Sequence, residues 1–242
     1  MLALMSPAAM SLLVPVILLV LISSGARAIH FELFERYFKL TFANAPVWSL
    51  FYFSAWSALI IVLFPAQVGT LFASVSFVGY MTVTFLLLAV FPALYHGVRT
   101  QEGEPVWLAH LFPTQGMLTL GERYILAKIA DVVFQQLVAG AVILTLAGGG
   151  VPYPAVVGVF VALFAAAHLY IFRTDGLMWG LYYMMYATLG GFAFPFLILF
   201  IPGGILYAIT LHMLFYVLSG IFFATLPRPG KAVQRELIGA EM

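Results

Sequence analysis

Five side chains in a very apolar chain offer chemistry beyond packing: Asp131, Gln135 and Gln136 on one hydrophobic run, His168 on a second and His212 on a third. A carboxylate beside imidazoles can move a proton or activate water, and one Asp with two His is a donor set that can bind Zn²⁺. A primary amide has no basic site in the usable pH range, so Gln135 and Gln136 can only hydrogen-bond. Asp131 and Gln135 are four residues apart and Lys128 precedes Asp131 by three, which sets all three on adjacent faces of one helix. Lys128 can then snorkel to the rim and partly neutralise the carboxylate. Taken singly, each group has a plain packing role. An amide inside a membrane helix bonds a neighbouring helix for about 0.6 to 2 kcal/mol, and a histidine bonds a backbone carbonyl or a tyrosine. Together, on three segments otherwise poor in polar groups, they point to one shared site.

The elements that must position them are transmembrane helices. Of the 242 residues, 64% are hydrophobic and only 8% charged, and the mean hydropathy is +1.10. That composition belongs to an integral membrane protein. With no Cys, disulfides, thiolate catalysis and Cys-ligated metals are excluded. Apolar runs of about 20 residues, enough to cross a hydrocarbon core, recur along the chain and leave no room for a soluble domain. The expected fold class is therefore all-α, a single transmembrane domain over residues 1–242. Seven spans fit: Ala8 to Ser24, Pro46 to Phe64, Val68 to Leu94, Tyr124 to Ala147, Pro154 to Phe172, Leu177 to Phe200 and Ile205 to Leu226. Gly and Pro punctuate the breaks between them, as in "GGGVPYP" and "IPGG". Thr119 and Glu122 have the spacing of a capping box at the start of the fourth.

Small residues ending the first run, "SSGARA", resemble a signal-peptide cleavage site, but no basic residue precedes the run; a retained first span is the expectation. Counting connections alternately places all ten basic residues, Arg27 to Arg235, at one membrane face. The positive-inside rule then puts the N-terminus outside and the C-terminus in the cytoplasm. In "HFELFERYFKL", Phe31, Phe34 and Phe38 share one stripe with the charges turned largely away. This reads as a cytoplasmic interfacial helix, with a plain extension of the second span as the alternative.

Two of these segments resemble a known family. "FAAAH", Phe164 to His168, is similar to the Phe-x-x-x-His motif of the CAAX protease and bacteriocin-processing (CPBP, or Abi) family of intramembrane endopeptidases. "HMLFY", His212 to Tyr216, resembles the family's later His-x-x-x-Asn motif, and the lead-in "PGGILYAITLH" has the look of its penultimate loop and helix. The resemblance covers residues 120–225. It implies that a Glu pair with a following Arg should stand one helix earlier, where this chain has "QQLVAG". Gln135, Gln136, His168 and His212 are thus the family-equivalent positions, with Tyr216 in place of Asn and Gly140 in place of Arg. In the family a Glu with a His would activate water, and the second His with Asn would hold the oxyanion. Gln135 cannot act as that base, whereas Tyr216 keeps a hydroxyl able to donate to an oxyanion.

The reading that follows is a degenerate relative with lost or altered peptidase activity, binding a membrane-embedded peptide or a lipid-like ligand. It would reside in a bacterial inner membrane, with its site facing the cytoplasm. An active endopeptidase using Asp131, His168 and His212 is one alternative. A small transporter is another, although no internal repeat supports it. A membrane-complex assembly subunit is the last, its aromatic "WGLYYMMY" meeting a partner span. No cofactor, no metal and no nucleic acid enter the expectation; the partners are the bilayer and a membrane-embedded peptide or protein. "YHGVRTQEGEP", with His96 and Glu102, reads as a solvated loop.

Overall fold

The computed structural model describes residues 7–42, 44–99, 122–174 and 176–225. Among them there are helices and connecting turns but no strands, as the composition demands. In hydrocarbon every backbone N–H and C=O must be satisfied within its own segment, and a helix does that. Seven helical stretches are long and apolar enough to cross a membrane, and the chain is an integral membrane protein. Thr119, Glu102 and the basic residues Arg228, Lys231 and Arg235 lie outside the described residues, and with them the proposed cap and most of the charged loop.

Helix α1 (Pro7–Ala28) runs without interruption into a π-helical stretch, Ile29–Tyr37. The segment expected as a separate interfacial helix is therefore a continuation of the first span. Its aromatic stripe is partly spent on α2 (Pro46–Leu63): the Phe34 ring meets Trp48 at 5.0 Å and Tyr52 at 5.3 Å. The Tyr52 hydroxyl also donates to the Ala26 carbonyl, 2.7 Å away.

The third span departs from its expected start at Val68. Pro65 opens a short separate helix, α3 (Pro65–Phe72), because its fixed φ suits a first turn. The crossing begins only at α4 (Phe77–Phe85), capped by the Ser76 hydroxyl, which accepts from the Gly79 N–H. It continues through a π-helical turn, Leu86–Val90, into α5 (Phe91–Arg99).

Helix α6 (Glu122–Gly148) is the axis of the bundle. Of its most apolar window 78% is buried, against 17–22% for the first three, fifth and sixth spans. It packs on α1, α2, α3, α5, α7 (Tyr153–Ala166), α9 (Leu177–Phe200) and α10 (Gly204–Thr225). Small residues let it. A Cβ on Gly140 would come within 2.7 Å of the Leu71 side chain, so the position where the family resemblance calls for Arg is filled by α3 packing.

After α7 the helix breaks for one turn at Ala167–Leu169 and resumes as the short α8 (Tyr170–Thr174). Between α9 and α10 the chain turns at Gly203, φ 68°, a left-handed conformation that Gly adopts at no steric cost. The Gly203 N–H donates to Ser74 Oγ at 2.8 Å.

Candidate functional site

All five singled-out residues are buried, as is Tyr216, and they fall into two layers along α6. The outer layer is charged. Asp131 accepts from Lys128 Nζ at 2.6 Å through Oδ2, the same-helix pair that the spacing predicts. Its other oxygen, Oδ1, accepts from Arg27 Nη2 at 3.2 Å. Arg27 comes from the end of α1 and also donates from Nη1 to the Tyr170 hydroxyl, 3.2 Å away. Lys128 Nζ lies 4.4 Å from the Phe42 ring centroid and 4.8 Å from that of Tyr216, cation–π contacts that partly replace lost hydration. The first, fourth and seventh spans are thereby clasped around one carboxylate.

One turn further along α6 the layer is neutral. Gln136 Nε2 donates to Nδ1 of His212 at 2.8 Å, and this bond leaves the His212 proton on Nε2. The His212 ring stacks on Tyr216, with centroids 5.6 Å apart and 13° between planes. His168 sits in the helix break. Its Nδ1 must be the protonated nitrogen, because it donates to the Phe164 carbonyl at 2.7 Å and a carbonyl can only accept. Its Nε2 is left as an acceptor. Each glutamine keeps one buried amide atom with no hydrogen-bond partner: Nε2 of Gln135 and Oε1 of Gln136.

Two cavities meet at the Phe164–His168 wall. The larger, about 260 Å³, lies between α9 and α10 and is lined by Tyr183, Tyr186, Phe194, Phe215 and Tyr216 together with both imidazoles. Its rim includes Leu189, Leu211 and Leu218, which are 43–58% exposed on the outer face of the bundle. On a membrane-spanning bundle that face meets hydrocarbon, so the cavity opens sideways into the bilayer. The smaller, about 60 Å³, lies behind the wall among α1, α6 and α7, with Ser23, Ser24, Arg27, Gln135 and His168 on its lining. It has room and polar partners for ordered water.

The chemistry open to this arrangement is narrow. Both carboxylate oxygens of Asp131 are already engaged by cations, which opposes a role as base toward water. Among the described residues no three His, Asp or Glu side chains gather closely enough to hold a metal ion. What remains on the lining of the larger cavity is hydrogen bonding, by two imidazoles and by the tyrosines Tyr183, Tyr186 and Tyr216. Sequence reasoning finds the amides, the histidines and the Lys128–Asp131 pair but misses Arg27, treated there only as a topology marker. The signal was present: alternate counting puts Arg27 and Asp131 at the same end of neighbouring spans. It also misses the second cavity, because Ser23 and Ser24 look like ordinary small residues of a first span.

The chain matches no protein-family model, no curated protein and no solved structure.

Proposed function

We propose that this protein is a non-hydrolytic membrane binding protein, built on a scaffold like that of the CPBP intramembrane peptidases, which takes a lipid-like ligand from the bilayer. One observation carries this reading: an apolar cavity entered between exposed leucines of α9 and α10 ends on two buried imidazoles with no free carboxylate beside them. A hydrocarbon chain is favoured over a peptide, since a helix with its side chains is 10–12 Å across and the cavity holds only about 260 Å³. Gln135 and Gln136, in place of the carboxylates of an active relative, serve as hydrogen-bonding groups. They orient the site and perform no proton transfer.

The test joins binding to catalysis. Protein released from lipid nanodiscs into the gas phase should carry a bound lipid, and Ala193→Phe, which fills the cavity between Phe194 and the imidazoles, should lose it. Transmembrane peptide substrates should stay intact with the wild type. Cleavage by the wild type, abolished by His168→Ala, overturns the reading in favour of a peptidase. Cleavage gained by Gln135→Glu instead supports kinship with a peptidase that lost its base.

A further inference from the structure

The two imidazoles that line the larger cavity are not equivalent, and their difference defines a ligand head. The Phe164 carbonyl fixes the proton of His168 on Nδ1 and leaves Nε2 with a lone pair. The Gln136 amide, donating to Nδ1 of His212, fixes that proton on Nε2. One ring therefore offers an acceptor and the other a donor. Both are more than nine-tenths buried, and among the described residues neither has a further hydrogen-bond partner.

Resting on the lipid-binding reading above, we infer that the larger cavity selects a single-chain lipid with an uncharged hydroxyl head, the hydroxyl donating to His168 and accepting from His212. Three features exclude other heads. No Lys or Arg is among the described residues lining this cavity, so an anionic phosphate or carboxylate would be buried without a counterion, at high cost in hydrocarbon. No Asp or Glu lines it either, which leaves an ammonium head equally unpaired. An ether can accept from His212 but has no proton to give, so it leaves the buried Nε2 acceptor of His168 unsatisfied, and a purely apolar end leaves both rings unsatisfied; a site built to hydrogen-bond a hydroxyl rejects an analogue that lacks it. The rim places the chain: Leu189 is midway along α9, and Leu211 and Leu218 are on α10, so the portal opens at the depth of the acyl tails. An uncharged alcohol reaches that depth readily, whereas a phospholipid headgroup is held at the interface.

The experiment uses full-length protein in phosphatidylcholine nanodiscs. Four sixteen-carbon probes carry the same mid-chain diazirine and end in a hydroxyl, a methyl ether, a carboxylate or a primary amine. After illumination, mass spectrometry counts crosslinks to α9 and α10. The alcohol should label about tenfold more than the ether, the difference made by roughly one net hydrogen bond to a buried partner. The carboxylate and amine should fall below the alcohol by at least as much. Gln136→Leu frees the His212 ring to take either proton position. It should lower labelling by the alcohol and the ether alike, since both accept from His212 Nε2–H, while the alcohol keeps its lead through the bond to His168. Equal labelling by alcohol and ether in the wild type overturns the head assignment and leaves the lipid-binding reading standing. Preference for the amine or the carboxylate overturns it too and names the other head. Failure of every probe to label sinks both. Undiminished ether labelling in a folded Gln136→Leu overturns the role given to that amide, and if that variant does not fold, the wild-type ratios decide alone.

Discussion

One turn of α6 separates two layers that handle polarity in opposite ways. At Asp131 both carboxylate oxygens are bonded to cations, and Lys128 spends its remaining face on two aromatic rings. At Gln135 and Gln136 each amide keeps an atom with no partner. Burying polar groups in hydrocarbon is costly, so a layer that leaves hydrogen-bonding capacity unused gives up stability. The charged layer is built to hold spans together, and the amide layer is built to keep something available. The amide layer is tied to both cavities: Gln135 lines the smaller, where Arg27 of the charged layer joins it, and Gln136 holds a ring of the larger.

That contrast can be broken most forcefully at Asp131. Asp131→Asn leaves the buried Lys128 and the half-buried Arg27 with no counterion, and should cost about 3–5 kcal/mol, the usual penalty for orphaning a buried charge. Reversible unfolding in mixed micelles would read it, and a loss below about 1 kcal/mol would show the layer to be solvated and not a clasp. Gly140→Leu presses on Leu71 and should cost about 1–3 kcal/mol by overpacking. This serves as a purely steric reference on the same helix. Gln136→Leu removes the bond to His212 and should cost about 0.6–1.7 kcal/mol, the range for interhelical hydrogen bonds in membranes. Gln135→Leu is the sharpest discriminator, because it deletes an amide that carries an unpaired buried nitrogen. Stability should be unchanged or rise by up to about 1 kcal/mol. A large destabilisation there would make Gln135 a structural group like Asp131. At the bottom of the scale, the exposed Arg36–Glu32 pair, 2.9 Å apart, should contribute no more than about 0.5 kcal/mol and vanish in high salt.

How far the sequence carries can be judged element by element. The helices of spans two, four, six and seven lie within about two residues of their expected limits, because apolar length and flanking Pro and Gly are strong local signals. The third span failed at its start. Val68 to Phe72 is as apolar as a true span, and only a short turn at Ala73–Ser74 and the extended Ser76 cap separate it from the crossing helix. The fifth span concealed its break at His168, since "FAAAH" has helical composition throughout, and composition does not show that the His168 ring takes the Phe164 carbonyl while its backbone N–H turns to Ala165. The Lys128–Asp131 pair was legible because it is local. Arg27 was not, because its partner lies 104 positions along the chain, and neither composition nor periodicity registers a contact at that range. The cavities lie between helices and have no signature in any one segment.

The intrahelical spacing of Lys128 and Asp131 also bears on how the protein is made. Opposite charges one turn apart can neutralise each other inside a solitary helix, so α6 can pass from the translocon into lipid as a near-neutral rod despite its two ions. Arg27 gains its carboxylate only when α6 arrives, three crossings later in synthesis. Until then it must stay at the water boundary, which anchors the end of the first helix there and keeps it in register for the rest of the bundle to assemble around.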